Sequence, residues 1–136
     1  MFQQIILRDL EKPKEVDVIK DIEWLGDSFG FCSGRDTERI ASKVFQAILK
    51  DAAFKGATSS ELISKSLNLA VQRVNYHLRS LIDSGFLYRE KRRIFIRQGS
   101  IKSAVEEIRK DANRIFDNLS LIAEQIDNAL GLKNRF

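Results

Sequence analysis

The sequence predicts a mainly helical α+β chain with one small β-hairpin and a long helix at its end. Three observations predict it. Apolar residues recur at helical spacing in five stretches of the chain. Between the fourth and fifth stretch, residues 86–96 alternate in the strand manner on both sides of a charged turn. From Ile101 onward, apolar positions step by four and three residues in unbroken alternation, the heptad pattern of a helix with a long apolar seam.

The 136 residues fit one domain with an extension, and 43% hydrophobic content suffices for a modest core. The net charge of +4 says little; its distribution says more. Residues 1–36 are net negative and residues 100–136 are balanced. Residues 70–99 carry seven basic side chains (Arg73, Arg79, Arg89, Lys91, Arg92, Arg93, Arg97) against Asp83 and Glu90. Clustering of this kind raises a local potential that attracts phosphate. The opening MFQQIILRDLEKPKE has no basic flank before a long apolar run, and no stretch reaches bilayer-spanning length, so neither export nor a membrane is expected. Cys32 is the only cysteine, so no internal disulfide can form, and a reducing cytoplasm is the simplest location.

Residues 1–36 read as an N-terminal extension. Phe2, Ile5, Ile6 and Leu7 suit a short strand or a helix start. Pro13 fits the first turn of a helix over roughly 14–28, in which Val16, Ile19, Ile22 and Leu25 recur every third residue. Trp24 sits in that apolar helix with acidic neighbours and reads as core or interface. Phe29, Phe31 and Cys32, among glycines, form a connector that covers the core.

Residues 37–99 read as one compact unit. Ser33 and Asp36 have capping-box spacing, and Asp36 or Thr37 could cap a helix marked by Ile40, Val44, Phe45, Ile48, Leu49 and Ala52. Gly56 closes it. Ser59 or Ser60 caps a short helix with Leu62, Ile63 and Leu67 inward. A break at 68–70 leads into a helix over 70–83 whose packed face is Val71, Val74, Leu78, Leu81 and Ile82, and Gly85 stops it. Gln72, Arg73, Tyr76 and Arg79 then lie on the opposite side, with Asn75 between. Gln and Asn can pair with adenine and Arg with guanine in the major groove. Tyr76 can meet a thymine methyl or a phosphate, and Arg79 suits a phosphate, which positions without specifying. Lys91, Arg92 and Arg93 sit at or beside the hairpin tip, within reach of the adjacent minor groove or backbone.

The run Ala70-Val71-Gln72-Arg73-Val74-Asn75-Tyr76-His77-Leu78, followed by Leu81 and Gly85-Phe86-Leu87, resembles the winged helix-turn-helix domain of the ArsR and MarR-like transcription regulators, especially their archaeal branch. The resemblance covers about residues 37–99. It implies a recognition helix at 70–83, a wing at the hairpin and double-stranded DNA as partner. There are two departures. Ala70 stands where a capping serine is usual, which weakens the helix start or moves the cap to Asn68. The turn Glu90-Lys91-Arg92-Arg93 lacks the frequent glycine.

Metal, cofactor and catalytic readings find little support. One Cys and one His, 45 positions apart, are no ligand cluster, so no metal or other cofactor is expected. His77 reads as a semi-buried helix residue, and Cys32, with only Arg35 as a basic neighbour, as an inert thiol. Gly26, Gly30 and Gly34 are not followed by the lysine-hydroxyl pair of a phosphate-binding loop. Glu106 and Glu107 belong to a solvated helix face. The chain is not expected to be an enzyme.

Residues 100–131 form the last helix, and 132–136 a tail. Its stripe is Ile101, Val105, Ile108, Ala112, Ile115, Leu119, Ile122, Ile126 and Ala129, widened by Phe116, Leu121 and Leu130. A helix of about 43 Å outreaches a small domain, so the stripe is expected to hold a homodimer, with the helix at 14–28 packed against the stem. The leading expectation is a homodimeric, sequence-specific DNA-binding transcription regulator, a repressor by analogy. The alternative is a winged-helix adaptor subunit of a transcription or nucleic-acid-processing complex, one able to use its basic face for RNA.

Overall fold

The computed structural model describes residues 2–32 and 39–134. Its elements are α1 (Val18–Ser28), α2 (Ile40–Lys55), α3 (Ser60–Leu67), α4 (Val71–Ser84), β1 (Leu87–Glu90), β2 (Arg93–Ile96), a short 3-10 turn (Arg97–Gly99) and α5 (Ile101–Leu130). The fold is predominantly helical with one small antiparallel hairpin.

The core forms where α1, α2, α4 and the hairpin converge. Phe29, Phe31, Phe45 and Phe86 interlock there with ring centroids 5.4 to 6.3 Å apart. Phe45 and Phe86 are fully buried, so cutting either to alanine should cost about 3–5 kcal/mol. Val74, Leu78 and Leu81 bring the inner face of α4 onto this cluster; Ile63 does so for α3. Gly26 lets α1 approach closely: a Cβ there would lie 2.6 Å from Cys32 Sγ.

The N-terminal region departs from expectation. Residues 2–14 form neither strand nor helix, and α1 starts only after Asp17, whose carboxylate accepts from the amides of Ile19 (2.9 Å) and Lys20 (3.2 Å). An acidic N-cap satisfies two orphan amides, so it outcompetes Pro13 as a start; Val16 falls outside the helix, fully exposed. The extended segment is held by Gln4 N–H donating to Asp83 O (3.0 Å), Arg8 N–H to Ser28 O (2.8 Å) and Trp24 Nε1 to Leu10 O (3.2 Å).

The caps expected at Ser33, Asp36 and Thr37 lie outside the described residues. The helix itself begins at Ile40, after Arg39 in the left-handed region at φ 57°. Ser59 caps α3 as expected, accepting from Leu62 N–H at 3.1 Å. Leu62 itself is exposed and not inward; Ser60, Ile63 and Leu67 hold the inner side of this short helix. Asn68 does not cap α4; it ends α3, left-handed at φ 53°. The start of α4 at Ala70 has no side-chain cap.

The hairpin pairs Leu87 with Ile96, Tyr88 with Phe95, Arg89 with Ile94 and Glu90 with Arg93. A further antiparallel bridge ties β2 to the α2–α3 connection, with Thr58 N–H donating to Ile94 O (2.9 Å) and Ile94 N–H to Thr58 O (2.8 Å). Thr58 Oγ1 in turn donates to Asp51 at 2.6 Å. The hairpin is therefore fixed to α2 on one side and to α4 on the other.

The helix α5 runs unbroken for 30 residues from its cap at Ser100 to Gly131. Its stripe divides. Ala104 and Ile108 are buried in the chain's own core, and Ile101 and Val105 pack against it. The expectation that Ile108 faces a partner is thereby corrected, since its own domain covers it; Ile101 and Val105 are partly covered by that domain. Leu119, Ile122 and Ile126 carry the same face onward and are 58%, 53% and 50% exposed. The segment packed beside α5 is residues 3–7, not the helix expected at 14–28. The latter lies on α2.

Candidate nucleic-acid interface

The outer surface of α4 follows from the helical repeat. With Val74, Leu78 and Leu81 inward, Gln72, Tyr76, Arg79 and Asp83 form the outward line. Arg73 and His77 flank it on one side and Asn75 on the other. Gln72, Arg73, Asn75, Tyr76 and Arg79 are all exposed, Tyr76 at 70%. Tyr76 meets His77 edge-on, with centroids 5.2 Å apart.

Asn75 is the junction between α4 and its neighbours. Its Oδ1 accepts from Ser60 Oγ of α3 at 2.6 Å and from Arg89 Nη2 of β1 at 2.9 Å. One amide oxygen thus fixes the helix against both the preceding helix and the hairpin. Arg89 can do this because strand alternation puts it on the side of buried Leu87, facing α4. In the sequence Arg89 is only one charge of the cluster; its shared parity with Leu87 is the signal that sets it apart.

Lys91, Arg92 and Arg93 are exposed at the tip. Lys91 and Arg92 form a two-residue turn with both at positive φ, 50° and 66°, the conformation that normally selects Asn-Gly. Holding two long cationic side chains there costs on the order of 1 kcal/mol each. Arg93 lies over the ring of Phe95 at 5.8 Å, and Phe95 stacks on Tyr88 at 5.2 Å, on the face turned from the core.

Arg97 belongs to a different assembly. Its guanidinium contacts Asp111 through both terminal nitrogens and reaches Glu107 at 3.8 Å. Asp111 also accepts from Gln3 Nε2 (2.8 Å) and Arg114 Nη1 (3.2 Å). Arg97 holds this carboxyl down to about 2, aided by Gln3 and Arg114 against the opposing effect of burial. Gln3 Nε2 also donates to Ser84 O, at the end of α4. Gly85, at φ 89°, makes room, since a Cβ there would lie 2.9 Å from Gln3 Nε2. The knot binds the N-terminal segment, the end of α4 and α5 into one body. It also removes Arg97 from the charge facing solvent.

Among the described residues, no group of three or more His, Cys, Asp or Glu is placed to hold a metal ion. No helix among them is long and apolar enough to cross a membrane. Cys32 is buried. No protein-family model, no curated protein and no solved structure matches the chain.

Proposed function

We propose that this chain is a sequence-directed double-stranded DNA-binding transcription regulator of the winged helix-turn-helix kind. Helices α3 and α4 are its helix-turn-helix, α4 its recognition helix, and β1–β2 its wing. The sign of regulation, repression, rests on the resemblance to ArsR and MarR-like regulators alone. The function is binding, without a catalytic step, a metal or another cofactor, in the cytoplasm. The unit that binds is a homodimer joined through the exposed half of α5.

The single observation behind this reading is the clasp of Ser60 and Arg89 on Asn75, which holds the polar line of α4 beside a basic hairpin tip. A helix placed in the major groove then brings Gln72 and Arg73 to base edges, and the tip lies against the neighbouring backbone. Asn75 changes role. Bidentate pairing with adenine needs its amide oxygen, which Ser60 and Arg89 occupy, so Asn75 acts as a positioning residue.

Binding measured at several salt concentrations on specific and scrambled duplexes tests the assignment. Gln72→Ala and Arg73→Ala should narrow the gap between the two duplexes. Joint replacement of Lys91, Arg92 and Arg93 by alanine should weaken both alike and reduce the salt slope by about 0.9 for each phosphate the tip no longer neutralises. Equal and salt-insensitive binding by wild type and the triple variant would contradict the reading.

The Tyr88–Phe95 stack favours a second reading. An aromatic pair on the hairpin's outer face, with Arg93 over Phe95, is a platform for unstacked bases or for a protein partner, as an adaptor or RNA-binding subunit would use.

A further inference from the structure

We infer that the two copies of α5 pair antiparallel over residues 112–129, and that the end of each helix seats in a cleft on the other's domain. The inference rests on the proposed homodimer and adds its direction, its register and a second contact site.

The direction follows from which side of α5 is used. Ile108, Ile115, Ile122 and Ile126 lie within about 40° of one line along the helix. At Ile108 that line is covered by the chain's own core, at 2% exposure; from Leu119 on it is bare. In a parallel pair, each partner helix would run along this line toward the N-terminal half, into the space filled by the first domain. Both domains would also sit on the inner side of the stem, against one another. Reversing one helix removes both conflicts. Each helix then ends, at Gly131, where the other's domain begins.

The register follows from layer matching. Antiparallel packing sets the two kinds of seam position against each other. One alignment uses the bare positions without drawing on Ile108 or residues before it. It pairs Ala112 with the partner's Ala129, Ile115 with the partner's Ile126, and Leu119 with the partner's Ile122. Small faces small and large faces large throughout. Asn118 falls beside the partner's Gln125, so the flank carries a neutral amide pair and no like charges.

The occupant of the cleft follows from the same alignment. Gln3, Gln4, Ile5, Leu7, Ala112, Ile115 and Phe116 line an apolar cleft of about 440 Å³ between the N-terminal segment and α5. The register brings the partner's Ala129 to Ala112 on its floor, with the partner's Leu130 beside it. Leu130 is 70% exposed and Phe116 62% in the single chain. Phe116, Leu119, Ile122, Ile126 and Leu130 offer on the order of 500 Å² of apolar surface per chain, at ~200 Å² for a fully exposed large side chain. Two chains together approach the ~1,000 Å² that a specific interface needs, before the cleft rims are counted.

Single cysteines in a full-length Cys32→Ser background test this. Mixing the Ile115→Cys and Ile126→Cys proteins and oxidising should give a crosslinked dimer, whereas Ile126→Cys alone should give none. Self-crosslinking of Ile126→Cys without the mixed product would overturn the inference in favour of a parallel stem. A spin label at exposed Arg109, away from the seam, gives a readout that does not depend on seam substitutions. The antiparallel stem sets the labels about 35 Å or more apart, from 23 residues of helical rise; a separation under about 25 Å would overturn it. Sedimentation of the same labelled protein separates the two claims. A dimer with the short distance defeats only the direction, and a monomer at tens of micromolar defeats the homodimer as well.

Discussion

Asp111 is the residue on which the joint between the domain and its long helix turns. It is buried, and its carboxyl is held at about 2 by Arg97, Gln3 and Arg114. A folded-state value below the unfolded one, near 3.8, means the stabilisation is complete above about pH 4 and is lost as pH falls toward 2. The difference amounts to roughly 2 kcal/mol. Acid titration of unfolding by circular dichroism should show this loss in wild type and a flatter profile in Asp111→Asn. The variant should itself be less stable at pH 7 by about 2–3 kcal/mol, with Arg97 left without its main partner. The Asn75 junction makes a second prediction at this scale. Arg89→Ala and Asn75→Ala should each weaken duplex binding, and the double variant should fall short of the sum by about 0.5 kcal/mol or more in a thermodynamic cycle. Additive losses would mean that the contact does not position α4. The Asp111 network is not legible in the sequence, and of the Asn75 junction only the parity of Arg89 with Leu87 is. Gln3 and Asp111 lie 108 positions apart, and Arg97 carries no sign separating it from the basic residues around it.

At the scale of elements, the hairpin turn trades conformation for charge. Lys91 and Arg92 hold a backbone shape that Asn-Gly would adopt with less strain. The pair Lys91→Asn and Arg92→Gly should raise the melting temperature by a few degrees while lowering duplex affinity and the salt slope. A variant that gains stability and loses no affinity would show that the tip does not touch phosphate. For α5, the division of its stripe decides where the chain can be cut. Removal of everything after Gly99 would strip Ala104 and Ile108 from the core and damage the fold. A chain ending at Asp117 keeps the buried half and the Asp111 knot, and sedimentation should find it folded and monomeric. Most of these elements are legible from periodicity: α4 from Val74, Leu78 and Leu81, the hairpin from its alternation, α5 from its heptads. The failures are local competitions. Asp17 beats Pro13 as a helix start because its carboxylate satisfies two amides. Asn68 serves as the end of α3 because Asn tolerates the left-handed region better than most residues.

For the whole molecule, heptad spacing reveals a long apolar stripe but not that half of it is used within the chain. Periodicity records that a face is buried and is silent about what buries it. That is why the stripe expected to serve as a seam from Ile101 onward is bare in the structure only from Leu119. In the proposed antiparallel stem the two Ile108 positions would lie about 37 Å apart along its axis. Whether a two-fold pair of recognition helices reads sequence is best decided by selecting bound duplexes from a random library. A regulator of this kind should recover an inverted repeat with half-site centres about one helical turn, or a multiple, apart. An unenriched pool, together with a stoichiometric protein partner in place of DNA, would contradict it.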